Sequence, residues 1–342
     1  MISNAGLANS SAKLIPANSV ILSTRAPIGH LSINEVPMAF NQGCRGLTPG
    51  DRLDTKFLYY FLLFSRDALD GLGSGTTFKE LSSSNLANFH IPLPPLDEQR
   101  RIVEVLDKAF AAIAAATANT QRNLANAREI FEGYLESVFS GRDEEWLERP
   151  IGKVARIYDG PHATPKTIDA GPVFLGITAI QDGEIVLEKT RHVTEADFGK
   201  WTKRVVPQVD DIVFSYETRL GQAAIIPDDL KCCLGRRMGL VRLDRSQIDP
   251  TFFLYNYLSR PFQEFLIERT IKGATVDRIA LKDFPSFRIK FPVLQKQKEV
   301  SRKVMSLKSK TQNLERAQAA KLAALAELKQ SLLHQAFAGE LI

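Results

Sequence analysis

The chain has few of the residues that mark a secreted protein or a metal site. Its 342 residues include three cysteines, Cys44 and the adjacent pair Cys232 and Cys233. Three cysteines at these positions form neither a disulfide framework nor the paired motifs that bind zinc. His162 has no second histidine or cysteine at a suitable ligand spacing. We therefore predict reduced cysteines, a cytoplasmic protein and no metal site.

Long apolar runs are also missing. The longest strongly apolar run, Phe57 to Phe64, is far shorter than the ~20 residues that span a bilayer. The residues from Met1 to Gly6 show no basic segment followed by an apolar core, so we predict no signal peptide and no membrane association. A net charge of +5 and a pI near 9.0 mildly favour a polyanionic partner, although charge alone is weak support.

Familiar catalytic motifs are absent from the sequence. There is no glycine-rich phosphate loop ending in Lys-Ser or Lys-Thr, which argues against a nucleotide motor of that type. No Asn-Pro-Pro-aromatic or Asp-Pro-Pro-aromatic tetrapeptide of the adenine methyltransferase kind is present. Glu327-Leu-Lys329 has a nuclease-like spacing, but a solvated helix face explains it better. We predict no catalytic residues in this chain.

The sequence does contain a long duplication. Residues 91–141 recur as residues 289–339 without a gap, offset by 198 positions as between Ile91 and Ile289. A continuous helix imposes such a register, because one inserted residue would turn every later side chain by ~100°. Matching residues include Pro94 and Pro292, Gln99 and Gln297, Leu124 and Leu322, and Gly141 and Gly339.

Residues 97–141 and 294–342 are predicted to form two long helices that pair antiparallel. Apolar or small residues recur at three-four spacing in both, the pattern of a coiled coil or helix pair. Two ordinary bundle helices are the alternative, but each stretch is several times the usual helix length. Antiparallel pairing would bring Ala116 and Thr120 opposite Leu314 and Gln318. The predicted helix-pair interface consists of Ile102, Leu106, Ile113, Leu124, Val304, Leu314, Leu322 and Leu325.

Residues 1–96 and 142–293 are predicted to be two similar, mainly β modules. Val20–Ser23 matches Ile212–Ser215, and a helix capped by Asp54 matches one that starts at Asp249. Residues 89–95 are predicted to form the last strand of the first module. Residues 146–192 have no counterpart in the first module, so we expect that module to be shortened at its N-terminus.

This arrangement resembles the DNA-specificity (S) subunit of type I restriction-modification systems. The resemblance covers nearly the whole chain and departs from the family only at the front. It implies an α+β fold in which two mainly β target-recognition domains are separated by two long antiparallel helices, a coiled-coil spacer. The matching segments are Ile91–Ile102, its degraded copy Ile289–Lys298, and the domain opening Trp146–Ile157 with Asp159–Pro165.

The resemblance implies that the chain recognises an asymmetric, bipartite site on double-stranded DNA. Modification subunits carrying S-adenosylmethionine would methylate adenine N6, restriction subunits would join for cleavage, and this chain would bind no cofactor. One alternative is a coiled-coil scaffold whose β modules bind protein, and another is a methyltransferase of unfamiliar pattern. Salt-dependent binding to one duplex sequence would argue against the scaffold, whereas S-adenosylmethionine binding by the isolated chain would favour the enzyme.

Loops rich in donors are the predicted DNA contacts. Base edges are read by amides, guanidinium groups and hydroxyls, and phosphates by lysine and arginine. For each loop the alternative is a solvated turn, and the basic pair Arg236 and Arg237 is equally well explained as ordinary surface. The predicted contacts are Thr24, Arg25, Ser74, Thr76, Thr77, Lys79, His162, Thr164, Lys166, Tyr216, Thr218, Arg219, Lys272, Thr275 and Arg278.

Overall fold

The computed structural model describes residues 3–25, 27–75, 79–141, 145–273 and 276–340. The chain divides into two compact units. Unit 1 comprises residues 1–124 and 316–342, and unit 2 comprises residues 125–315. Two long helices, α5 (Leu96–Phe139) and α9 (Leu294–Ala338), are each divided between the units. Each unit therefore contains one mainly β domain and a part of both predicted long helices.

The β domain of unit 1 is built on a three-stranded antiparallel sheet. Its strands are β1 (Val20–Ser23), β2 (Leu31–Ile33) and β3 (Cys44–Leu47), with β1 in the centre. Val20 and Leu22 alternate inward and are fully buried, as the period of a half-buried strand requires. The helices of this domain are α1 (Asn4–Ala8), α2 (Thr55–Phe64), α3 (Arg66–Gly71) and α4 (Ser83–Ala87).

The β domain of unit 2 is larger. Its strands are β4 (Leu147–Pro150), β5 (Ala155–Asp159), β6 (Ile168–Leu175), β7 (Ile180–Gln181), β8 (Glu184–Ile185), β9 (Arg191–His192), β10 (Ile212–Ser215), β11 (Ala223–Ile225), β12 (Cys232–Leu234), β13 (Met238–Leu243) and β14 (Arg288–Phe291). A four-stranded sheet has the order β11-β10-β13-β5, a three-stranded sheet has the order β12-β6-β9, and β14 pairs with β4 and β7 with β8. The helices are α6 (Glu195–Trp201), α7 (Pro250–Leu258) and α8 (Arg260–Glu268).

The two domains share one topology, as the duplication predicts. Strand β10 pairs antiparallel with β11 and β13, just as β1 pairs with β2 and β3. The aspartates Asp54 and Asp249 cap α2 and α7 by accepting hydrogen bonds from backbone amides of the first turn. Gly29 and Gly221 occupy the matching turns with φ of +92° and +80°, a conformation that L side chains rarely adopt.

The strand predicted at residues 89–95 is not formed within the described part of unit 1. Its counterpart in unit 2 is β14, which pairs antiparallel with β4. Strand β4 belongs to the segment 146–192, which has no counterpart within residues 1–96. The sequence of an edge segment is compatible with a strand, but a strand forms only where a partner supplies the hydrogen bonds.

The long helices run antiparallel within each unit. In unit 1, Ile102 and Leu106 of α5 share a buried cluster with Leu333 and Ala336 of α9. In unit 2, Arg128 of α5 forms an ion pair with Glu315 of α9 at 2.8 Å. Further along α5, Leu135 lies in one buried cluster with Val300 and Val304, which come earlier on α9. Among the predicted interface residues, Ile102, Leu106 and Val304 are buried, and Ile113, Leu124, Leu322 and Leu325 are half-buried.

The prediction for Leu314 is wrong, because its side chain is 41% exposed. The next residue, Glu315, faces α5 instead and forms the ion pair with Arg128. Successive residues on a helix are rotated by ~100°, so the side chains of Leu314 and Glu315 point in different directions. A purely apolar pattern selected the leucine, whereas this stretch of the interface is polar and includes the half-buried Thr311.

This correction predicts a contrast between two residues of α9 in unit 2. Leu314→Ala should change the free energy of unfolding by less than ~0.5 kcal/mol, since the side chain is largely in solvent. Val304→Ala should cost about 2 kcal/mol, because Val304 is fully buried and its removal leaves a cavity. Urea unfolding of both variants measures the difference, and equal losses would show that Leu314 is packed after all.

Candidate nucleic-acid interface

A buried glutamine joins each β domain to the first turn of its long helix. Gln99 accepts a hydrogen bond from the backbone amide of Asp54 at 2.8 Å. Its side-chain amide donates to the carbonyls of Arg52 and Pro94 at 2.9 and 2.7 Å. Both Gln99 and its counterpart Gln297 are fully buried. In the second copy Gln297 makes the equivalent bonds with Asp249, Gln247 and Pro292 at 2.9, 2.9 and 2.8 Å.

The three predicted loops of the second domain meet at one end of its four-stranded sheet. Strands β5 and β10 both reach that end at their last residues, where Asp159 faces Gly239 and Ser215 faces Met238. The loops at 160–166 and 216–219 follow these strands directly. The third loop, which carries Lys272 and Arg278, lies beside the second, because the backbone of Arg278 forms β-bridges with both Glu217 and Ile271. The structure therefore assembles, on one surface, loops that are far apart in sequence.

Asp159 connects two of these loops. The Tyr216 hydroxyl donates a hydrogen bond to one carboxylate oxygen at 2.9 Å, and His162 Nε2 lies 2.8 Å from the other. Arg204 lies at 3.7 Å from the same carboxylate. Burial and then the hydrogen bond to Asp159 raise the pKa of Tyr216 above its ordinary value. Tyr216 is 7% exposed, so the prediction that it contacts DNA is corrected: its hydroxyl orients Asp159.

The loop after β10 has a strained backbone held by side chains. Thr218 is exposed and has a φ of +69°, and Arg237 across from it has a φ of +70°. The Arg237 guanidinium donates to Thr218 Oγ1 at 3.1 Å and lies 2.8 Å from a Glu217 carboxylate oxygen. Arg219 donates to the carbonyls of Ile177 and Thr178, both at 3.3 Å. Backbone strain of this kind costs of order 1–3 kcal/mol and tends to mark functional positions.

Arg237 was not among the predicted contacts, although the structure places it between two loops. The signal available in the sequence was a basic pair immediately before the strand that begins at Met238.

In the third loop, Lys272 pairs with Asp277 at 2.9 Å. The predicted contacts His162, Thr164, Lys166, Lys272 and Arg278 are exposed, and Arg219 is half-buried.

The first domain repeats this backbone framework with different side chains. Arg25 bridges to Glu80 through the backbone and pairs with its carboxylate at 2.7 Å, and Ser74 bridges to Glu80 as well. The matching bridges in the second domain, Glu217 to Arg278 and Ile271 to Arg278, exchange the positions of acid and base. Lys79 pairs with Asp70 at 2.6 Å. Matching positions of the same framework thus carry charges of opposite sign in the two domains.

The prediction for Thr24 is corrected by its burial. Its side chain is fully buried, and its hydroxyl donates to the carbonyl of Gly43 at 3.2 Å. This hydroxyl therefore links the residue after β1 to the residue before β3 and is not available to a base. Three further predicted contacts, Thr76, Thr77 and Thr275, lie outside the described residues.

Within the described residues, no group of three or more histidine, cysteine, aspartate or glutamate side chains could hold a metal ion. No helix in the described part of the chain combines the length and apolarity needed to cross a membrane. Burial raises the pKa of Cys232 to about 12 and that of Cys233 to about 11, so both thiols are protonated at neutral pH.

Comparison with known proteins identifies the family. The sequence profile described as the type I restriction modification DNA specificity domain matches residues 2–124 and 144–324. The chain belongs to this family. Its two matches correspond to the two β domains with parts of the long helices, which confirms the resemblance and the predicted α+β class. Family membership also assigns the chain a role in DNA-sequence specificity.

Curated relatives and solved structures agree with this family. The chain is 24% identical over 332 residues to the type I restriction enzyme EcoBI specificity subunit of Escherichia coli, covering 89% of this chain and 70% of the relative. It is 23% identical over 309 residues to the MjaIX specificity subunit of Methanocaldococcus jannaschii, covering 84% and 70%.

Two solved structures match the fold at 22% identity over 98% of this chain. One, from work on complex assembly and conformational transition of the type I R-M system, has a TM-score of 0.78 and is covered to 86%. The other, the HsdS subunit from Thermoanaerobacter tengcongensis, has a TM-score of 0.63 and is covered to 85%.

Proposed function

We propose that this chain recognises an asymmetric, bipartite DNA site and directs the modification and restriction subunits of a type I complex to it. The observation that supports this proposal is the repeated framework with exchanged side chains. Both domains have the same central sheet and the same glutamine joint, yet Arg25 and Glu80 stand where Glu217 and Arg278 stand in the other copy. Base edges are distinguished by their donors and acceptors, so unlike side chains on one framework would read unlike half-sites.

The proposed contacts are the predicted loop residues whose side chains reach solvent or face a loop. In the second domain they are His162, Thr164, Lys166, Thr218, Arg219, Lys272 and Arg278, and in the first domain Arg25, Ser74 and Lys79. Thr24 and Tyr216 are left out because they are buried. The ion pairs of Arg25, Lys79 and Lys272 are exposed, and such pairs are weak enough to exchange a carboxylate for DNA.

The chemistry is proposed to reside in the partner subunits. Modification subunits would bind S-adenosylmethionine and transfer methyl to adenine N6, which requires the base to be flipped out of the duplex. Restriction subunits would cut unmethylated DNA. This chain would bind no cofactor, in keeping with the absence of a methyltransferase tetrapeptide and of a phosphate loop from its sequence. The unpaired cysteines of the described residues are consistent with a cytoplasmic complex.

Selection from random duplex DNA tests the proposal. The full chain, alone and with its modification subunits, should enrich one bipartite sequence with unlike halves. Binding to that sequence should weaken steeply as salt increases, because phosphate contacts release counterions. Calorimetry should detect no S-adenosylmethionine binding by the chain alone. Enrichment of no sequence would favour a protein-binding scaffold, and tight one-to-one uptake of the cofactor would favour an enzyme.

A further inference from the structure

A cationic cavity of about 270 Å³ lies beside the loops of the second domain. Four basic side chains and two threonines supply its polar lining. None of the described residues that line it is acidic. The Glu217 carboxylate lies 2.8 Å from the Arg237 guanidinium of this lining. The polar residues of this cavity, named here the cationic cavity, are Thr164, Thr178, Lys189, Arg191, Arg236 and Arg237.

The backbone that forms the cavity is tightly packed. The Gly235 amide donates to the Leu175 carbonyl at 2.7 Å, and a Cβ on Gly235 would lie 2.3 Å from that oxygen. Strand β12 therefore ends in contact with β6, and Arg236 and Arg237 project immediately afterwards. Arg219 holds the turn at Thr178 from the other side through the bonds to its carbonyl and to that of Ile177. The backbone that carries Arg236 and Arg237 consequently has a defined position before any ligand binds.

The segment on the far side of the cavity is anchored to a long helix of the same unit. Lys189 donates to Gln181 of β7 at 2.8 Å, which ties it to the β7-β8 hairpin. Glu184 of β8 pairs with Lys308 of α9 at 2.7 Å. The hydrogen bond from Lys308 is the main cause of a lowered pKa for Glu184, so this pair is charged at neutral pH.

The chemistry of the lining favours a phosphate over a base. Lysine and arginine side chains only donate hydrogen bonds, and a threonine hydroxyl can donate as well. A phosphate diester presents only acceptor oxygens and one negative charge, whereas adenine and cytosine also present amino donors that none of the four cationic side chains can accept. Clefts lined by charge of one sign concentrate the electrostatic field and attract the opposite ion.

We propose that the cationic cavity binds a backbone phosphate of the DNA and holds the second recognition domain in place while its loops read the bases. This inference rests on the proposed DNA-binding function. Apart from Arg236 and Arg237, every lining residue belongs to the segment 146–192.

The test compares the double variant Arg191→Ala with Arg236→Ala against the wild-type chain. Both arginines are exposed, so the fold should tolerate their removal. Fluorescein-labelled duplexes are titrated at several salt concentrations, one carrying the sequence selected by the wild-type chain and one scrambled. Affinity should fall about tenfold or more for both duplexes alike. The slope of log affinity against log salt should become less steep by about 1, since the contact with one phosphate is lost.

The matched control is Lys153→Ala. Lys153 is an exposed cation on the turn before β5, at the opposite end of that strand from Asp159. Removing the Lys153 side chain should leave the slope of log affinity against log salt unchanged. The double variant Arg191→Lys with Arg236→Lys retains both charges and should keep most of the wild-type slope. An unchanged slope in the alanine variant, or a loss confined to one base pair of the selected site, overturns the phosphate assignment. Failure of the wild-type chain to bind either duplex overturns the proposed function itself.

Discussion

Inserting four residues after Thr117 is expected to alter the tolerated spacing between the two half-sites and to leave both half-sequences unchanged. Thr117 lies in α5, whose 44 residues form one continuous helix. Four residues add ~6 Å, and the side chains beyond the insertion turn by only ~40° because four residues are close to one full turn. At ~3.4 Å per base pair, the spacing should change by one or two base pairs.

Methylome sequencing of a host that expresses the variant with its modification subunits measures this effect. Thr117→Ala, which preserves the helix length, is the control and should retain the original spacing. A stronger version places a second four-residue insertion near Leu322 of α9, so that both helices of unit 1 lengthen together. Altered half-sequences with unaltered spacing would show that the helices do not set the distance between the recognition domains.

Replacing Gln297 with alanine is expected to lower the free energy of unfolding by about 3 kcal/mol. The substitution leaves the amide of Asp249 and the carbonyls of Gln247 and Pro292 without their partner. Each buried polar group that loses its hydrogen bond costs roughly 1–3 kcal/mol, although water entering the gap recovers a part. Urea unfolding with a probe in unit 2 measures the loss.

Gln295→Ala is the control, because Gln295 lies on the same helix and in the same unit with an exposed side chain and should change stability by less than ~0.5 kcal/mol. Gln99→Ala in unit 1 should reproduce the loss, with Gln121→Ala as its own exposed control. Equal stability of Gln297→Ala and Gln295→Ala would mean that the joint is held by apolar packing alone. We also expect Gln297→Ala to reduce sequence discrimination, because the domain would no longer be held to the first turn of α9.

Much of the architecture follows from the sequence alone. The gapless offset between residues 91–141 and 289–339 determined two long helices, and the repeated Val20–Ser23 and Ile212–Ser215 segments determined two domains of one topology. The glutamines of the two joints were visible as the aligned pair Gln99 and Gln297. Periodicity and duplication are local or internally repeated signals, so a single sequence displays them fully.

Only the tertiary structure decided which residues meet. It placed Glu315 rather than Leu314 against α5, and it joined Tyr216 to Asp159 across the ends of two strands. It also brought Arg191 and Arg236 into one cavity. Such contacts depend on strand pairing and on the rotation of each helix about its axis, and these are set by packing between distant segments. A hydrophobic pattern describes one segment at a time, so it specifies the faces of the elements but not the partners that those faces meet.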